Sequence, residues 1–305
     1  MKVGFICPDG GRIKFDDCFK ACRLKERCIK SVTILRPMAW QPSIVPGKYS
    51  VTTLIAPTRI SYLRRTTDYY IVPDSNAFSL LGTRVHKHIE LGDHDRALQE
   101  EMFEDAETTG RADTYEEDGG KHILSDNKVW GSFSVAKAMG IVKGAKIPDP
   151  SGEVYKTSGK WGKAGSPKMV DTFCADPAQA DNEDATWQLN RYRMFFQVAG
   201  FPVDLMYVNV IVRDGGCISA LNRGVTLNLY SIPVGFLPDA DVIAYFADKR
   251  IRLQDALMKN TVPPVCTEKE RWNDLRCRKY CEVWQACDYG SSLKNNVAVA
   301  TEEGF

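Results

Sequence analysis

Ten cysteines constrain this 305-residue chain more than any other feature, because eight of them fall into two sets with one spacing. Cys7, Cys18, Cys22 and Cys28 read C-x10-C-x3-C-x5-C, and so do Cys266, Cys277, Cys281 and Cys287. The parallel extends to ICP and VCT at the first cysteine, and to DDCFKAC and LRCRKYC at the middle pair. Three shared gaps point to a repeated structural unit. Five disulfides are the alternative for a secreted chain. However, the N-terminus MKVGFICPDGG shows no apolar run followed by a small-residue cleavage site. No stretch approaches the run of about 18 apolar residues that spans a bilayer. The expectation is a cytoplasmic protein with no membrane partner and two four-thiolate metal sites. Soft thiolates suit Zn2+ or an iron–sulfur cluster. Zinc sites usually carry two C-x2-4-C pairs, whereas each set here has one. The irregular gaps fit a 4Fe-4S cubane at least as well. One N-terminal cysteine joining three C-terminal ones is a further arrangement. Cys174 and Cys217 lack a nearby cysteine in sequence and are expected to be buried small hydrophobes.

The net charge of +1 names no partner, but it hides a strong asymmetry. Residues 1–65 hold 13 Lys/Arg against 4 Asp/Glu, and residues 66–118 hold 4 against 14. Residues 131–170 hold seven lysines against Asp149 and Glu153. Any single block could be a solvated face. Basic flanks beside an acidic centre are what a nucleic-acid enzyme needs, with a phosphate-binding periphery and a metal-binding middle.

The fold class read from the pattern is α/β (α+β), with a central mixed β-sheet flanked by helices. A four-cysteine unit over 1–40 carries a short helix near residues 16–25. Residues 41–260 form the core. Within them VTTLIAP (51–57) reads as a strand, and a helix from Ser75 carries Phe78, Leu81, Val85 and Ile89 at helical spacing. That helix is expected to continue through Ala97–Phe103. Residues 109–131 read as a β-hairpin around Asp118-Gly119-Gly120. A basic insertion at about 132–180 reads as partly loop and partly mobile, and as a DNA-guiding element. Residues 185–198 read as an amphipathic helix, 204–214 and 224–234 as strands, and 239–258 as another helix. The second four-cysteine unit covers 261–290, and a polar tail covers 291–305.

Four pieces of this core point to one chemistry. Asp113 lies in GRAD on the first hairpin strand, and Asp126-Asn127-Lys128 lies on the second. His86 and Glu90 stand one turn apart on the preceding helix, as do Gln188 and Tyr192 on the later one. A hard divalent cation needs oxygen ligands, which two strand carboxylates supply. It polarises a scissile phosphate and lowers the pKa of a bound water. A lysine two residues after a carboxylate shares its strand face, so Lys128 can orient that water and stabilise the pentavalent state. Each piece alone is weak: a lone D-x-K is usually a surface pair, and a lone helix histidine is usually packed or exposed. Their order and spacing carry the argument.

That ordered set resembles the PD-(D/E)XK nucleases, in particular the RecB-type nuclease family that includes CRISPR-associated exonucleases. Gly82–His86 with Ile89-Glu90 match its helix motif, Gly110–Asp113 its G-x-x-D strand, Asp126–Lys128 its (D/E)-x-K strand, and Gln188 with Tyr192 its Q-x-x-x-Y helix. The resemblance implies a restriction-endonuclease-like core. It also implies Mg2+ or Mn2+ held by His86, Asp113, Asp126 and the carbonyl of Asn127, and catalysis through Asp113, Asp126 and Lys128. Glu90, Gln188 and Tyr192 are implied to support the site, and C-terminal cysteines to hold an iron–sulfur cluster. The C-x3-C pair at Cys277 and Cys281, the four N-terminal cysteines and the long gap from Lys128 to Gln188 depart from the family pattern. The function expected is a metal-dependent DNA nuclease, an exonuclease acting on DNA ends or single strands in recombination, repair or defence. The rivals are a non-catalytic zinc-finger protein that binds nucleic acid, and a subunit active only with a helicase partner.

Overall fold

The computed structural model describes residues 1–26, 28, 30–41, 47–91 and 97–294. Along the chain run β1 (Lys2–Ile6), β2 (Arg12–Lys14), α1 (Phe15–Lys20), α2 (Val32–Met38), β3 (Tyr49–Ser50), α3 (Val51–Ile55), α4 (Thr58–Thr66), β4 (Tyr69–Ile71) and α5 (Pro73–Glu90). The centre holds β5 (Ala97–Glu104), β6 (Thr108–Asp118), β7 (Lys121–Trp130), α6 (Ser132–Met139), β8 (Ile141–Pro148) and β9 (Met169–Ala175). There follow α7 (Glu183–Val198), β10 (Leu205–Val212), α8 (Ile218–Leu221), β11 (Leu229–Pro233), α9 (Asp239–Met258) and α10 (Glu268–Arg271). No helix among the described residues is long and apolar enough to cross a membrane.

The main sheet has six strands in the order β11-β10-β7-β6-β3, with β5 also pairing β6. It is mixed: β10 runs parallel to β7 and β3 parallel to β6, whereas β5–β6, β6–β7 and β10–β11 are antiparallel. Leu124, Met206, Val208 and Val210 are buried within it. Helices α3, α4, α7 and α9 pack on one another, and α7 lies against β5, β6 and β7. Helix α9 forms because Val242, Phe246, Leu253 and Ala256 recur at spacings that keep one face in the core. Buried Asn190 fastens α7 to the chain entering α9, donating to the Thr186 and Gly235 carbonyls and accepting from Leu237 N–H at 2.8 Å. A smaller sheet, β2-β1-β4, packs Phe5 against Phe15 and Phe19. Through its parallel pairing with β4, β1 ties the first cysteine segment to residues 69–71.

The mixed sheet flanked by helices agrees with the sequence reading, and four local expectations are corrected. Residues 51–55 are helix, not strand: Ser50 Oγ caps the turn by accepting from Thr53 N–H at 3.2 Å, and Val51 and Leu54 turn together into the core. Residues 97–104 are strand β5, not a continuation of the helix, because β6 offers a pairing edge that local sequence does not reveal. The insertion is not mainly irregular: it holds α6 and the antiparallel β8–β9 ribbon. Cys174 and Cys217 are exposed, not buried; the first lies on that uncovered ribbon, and the second caps the one-turn α8. Of the expected tail, residues 291–294 are helical and 295–305 lie outside the described residues.

Candidate active site at the split of the central hairpin

Strands β6 and β7 pair from Asp118↔Lys121 to Thr114↔Ser125, and there the ladder ends. Just beyond it the backbone N–H of Asn127 donates to Asp113 Oδ2 at 2.7 Å, so a carboxylate takes the place of a strand partner. The strands part at the two motif aspartates. On the other side of β6, Gln99 pairs Thr114 and Glu101 pairs Ala112, which sets Glu100 across from Asp113. Glu100 has φ 54°, a left-handed conformation that costs a non-glycine residue about 1–2 kcal/mol. Such strain gathers where a side chain must be aimed at a site. Arg111 holds it there, with Nε donating to the Glu100 carbonyl at 3.1 Å and lying 2.6 Å from its carboxylate.

Helix α5 lays His86 over this split. Its Nδ1 stands 3.5 Å from Asp113 Oδ2 and 3.6 Å from Glu100 Oε1. One ligand atom from each of His86, Glu100 and Asp113 lies within 4.8 Å of the others. The Glu100 carboxylate facing it raises the imidazole pKa, and the imidazole in turn lowers that of the carboxyl. Asp113 is pushed up to about 7, first by burial and then by the charge of Asp126. The pocket thus concentrates negative charge that a cation would relieve.

Asp126 stands outside that three-residue group. It is fully buried; Gln188 Nε2 donates to its Oδ1 at 3.0 Å, and Lys128 Nζ forms an ion pair with Oδ2 at 2.5 Å. Gln188 also lies 3.4 Å from the Tyr192 hydroxyl. Burial, then the charges of Asp126 and Asp113, drive the Tyr192 pKa up. Burial would lower Lys128, but Asp126 and then Asp113 outweigh it and keep the ammonium charged. Glu90 pairs with Lys87 at 2.8 Å and reaches Arg111 at 4.0 Å, so it stands behind Glu100. The site therefore brings His86, Asp113, Asp126, Asn127, Lys128, Gln188 and Tyr192 around one strand split. Glu100 and Arg111 were missed by the sequence reading. ALQEEMFE carries three glutamates without a motif, and only the β5–β6 register singles out the first.

A groove of about 310 Å³ opens beside Lys128, between Val85 and Ile89 of α5 and strands β10 and β11. A polar row crosses it: Asn209 donates to Asn127 at 3.5 Å and accepts from Ser231 Oγ at 2.8 Å.

All ten cysteines are free thiols. Cys266, Cys277, Cys281 and Cys287 line one small cavity of about 20 Å³. Burial pushes the Cys266 and Cys281 thiols up to about 11, with neighbouring thiols adding to it. At the other end Cys18, Cys22 and Cys28 line a second cavity, of about 180 Å³. The Cys18 thiol is raised by burial and then by Cys28, Cys7 and Cys22.

No protein-family model matches the chain, and no curated protein matches it. Among solved structures, one described as "Crystal structure of SSO0001" aligns with 83% of this chain and 90% of its own, at 14% identity and a TM-score of 0.41.

Proposed function

We propose that the chain is a divalent-metal-dependent DNA nuclease of the PD-(D/E)XK type, with a restriction-endonuclease-like core, acting as an exonuclease on DNA ends or single strands in a reducing, cytoplasmic setting. The observation that carries this reading is the convergence of His86, Glu100 and Asp113 within 4.8 Å beside the Asp126–Lys128 pair. One imidazole nitrogen and two carboxylates suit Mn2+, and with added waters Mg2+. The raised pKa of Asp113 fits a pocket made for positive charge. His86, Glu100 and Asp113 would hold the ion, with Asp126 and the Asn127 carbonyl, which the resemblance adds as ligands, beside them on β7. Once bound, the ion supplies phosphate polarisation and an acidified water.

The chain's own groups do the rest. Lys128 presents a charged ammonium to a phosphate oxygen where negative charge develops. Asp126, itself held by Gln188, fixes that ammonium, and Tyr192 stays protonated as a donor. Each four-cysteine set would hold a thiolate-bound centre, a 4Fe-4S cluster or Zn2+. Metal analysis and absorbance near about 400 nm of anaerobically purified protein distinguish the two.

Asp113→Ala, Asp126→Ala or Lys128→Ala is expected to abolish cleavage of labelled single-stranded DNA in Mg2+ or Mn2+, with circular dichroism unchanged. Cleavage that survives all three substitutions overturns the reading.

A further inference from the structure

Beyond β8 and β9 the ribbon continues as an ordered arm. Tyr155 N–H donates to the Ser166 carbonyl at 2.9 Å, and Val154 bridges Pro167. The arm closes on reciprocal Gly159–Gly162 hydrogen bonds of 2.9 and 3.3 Å. Gly162 sits so close to the Tyr155 ring that a Cβ there would lie 2.4 Å from it, which fixes the tip. Lys160 and Trp161 are the two residues displayed at that tip. Trp161 is 78% exposed, with the Lys160 ammonium 5.4 Å from its ring centre.

The arm's charges are sorted along its length. Residues 141–175 hold six lysines and three acids. At the base, Lys143 and Lys146 share Asp171, at 2.6 and 3.7 Å. Lys168 pairs with Glu153 at 2.5 Å. Lys156, Lys160 and Lys163, towards the tip, have no carboxylate partner among the described residues. Three lysines without carboxylate partners on one arm with an exposed indole match a single nucleic-acid strand, whose phosphates need cations and whose unpaired bases need a ring to stack on.

We propose that this tip is a docking point for single-stranded DNA, with Trp161 stacking on a base and Lys156, Lys160 and Lys163 meeting phosphates. It rests on the nuclease reading for the identity of the ligand, but its test does not depend on cleavage. An Asp113→Ala background removes cutting, and binding of a fluorescent thymidine oligonucleotide is followed by anisotropy at several salt concentrations. Trp161→Ala should weaken binding about tenfold to a hundredfold. Replacing the three tip lysines with alanine should reduce the salt slope by about 2, at roughly 0.7 per phosphate contact. Indole emission should be quenched on binding, and the quenching should shrink in Trp161→Phe. A blunt duplex of equal length should show little Trp161 dependence.

Unchanged affinity in Trp161→Ala with unchanged quenching overturns the tip as a contact, even if the core cuts DNA. Equal Trp161 dependence on duplex overturns base stacking, and an arm that binds an acidic polypeptide but no oligonucleotide overturns the DNA assignment. Arm-dependent binding in a chain whose core never cleaves would sink the nuclease reading and leave the arm standing.

Discussion

At the residue scale, Asp113 sets a measurable pH dependence. Its carboxyl titrates at about 7 in the fold against an ordinary 3.8, because burial and Asp126 disfavour its charge. Between those values the native state holds a proton that the unfolded chain has lost. Stability of the metal-free protein therefore falls as pH rises through that window, and the loss is complete above the folded value. Asp113→Asn removes this dependence. The variant should melt above wild type at about pH 8 in chelator and match it at about pH 4, and saturating Mn2+ should reverse the order at the higher pH. Parallel melting curves for the two proteins across this range would show that Asp113 does not carry that strain. The residues easiest to find in the sequence were those whose chemistry is local to a motif, such as Asp113 and Lys128. Glu100 was not, because its role comes from a strand register and from Arg111 beside it.

At the scale of elements, the site depends on how closely α7 lies on β6. Gly110 explains why: a Cβ at that position would stand 2.6 Å from the Tyr192 ring and 2.9 Å from Phe195. The glycine of GRAD is thus a space requirement, needed so that Tyr192 and Gln188 reach the aspartates. Gly110→Ala should cost about 1–3 kcal/mol of stability through overpacking. On the nuclease reading proposed above it should also lower the turnover of DNA cleavage more than it weakens DNA binding, because Gln188 loses its hold on Asp126. An alanine variant with wild-type melting and turnover would remove that account. The hairpin and the long helices α7 and α9 were legible because their periodicity runs over many residues. The five residues of α3 were not: VTTLI is rich in β-branched side chains, and the capping hydroxyl of Ser50 with burial of Val51 and Leu54 overrides that preference.

For the whole molecule, the C-terminal cysteines matter through what they fasten. Arg59 on α4 is buried and donates to the Pro263 carbonyl at 2.7 Å, to Cys287 Sγ at 3.3 Å and to Asp288. Arg64 adds an ion pair with Glu282 at 2.5 Å, and Tyr62 donates to Asn260 at 3.1 Å. One helix near the start of the core thus carries the segment that follows α9. The matching cysteine spacings suggested two alike end units, but the structure seats them differently. The first shares a sheet with β4, and the second rests on α4 through side chains. Arg59→Ala leaves the Pro263 carbonyl without its donor and removes the contact to Cys287. A cost of about 1–3 kcal/mol is expected, since Asp288 is solvent-exposed and its ion pair is weak. Because the lost contacts all lie beyond residue 258, limited proteolysis of the variant should cut first within 259–294 and leave the 108–130 hairpin protected. Chelation of the proposed thiolate-bound metal from wild type should expose the same segment first. Early cleavage in the hairpin in either experiment would mean that the terminal unit folds as one body with the central hairpin, instead of being a separable fastening laid over it.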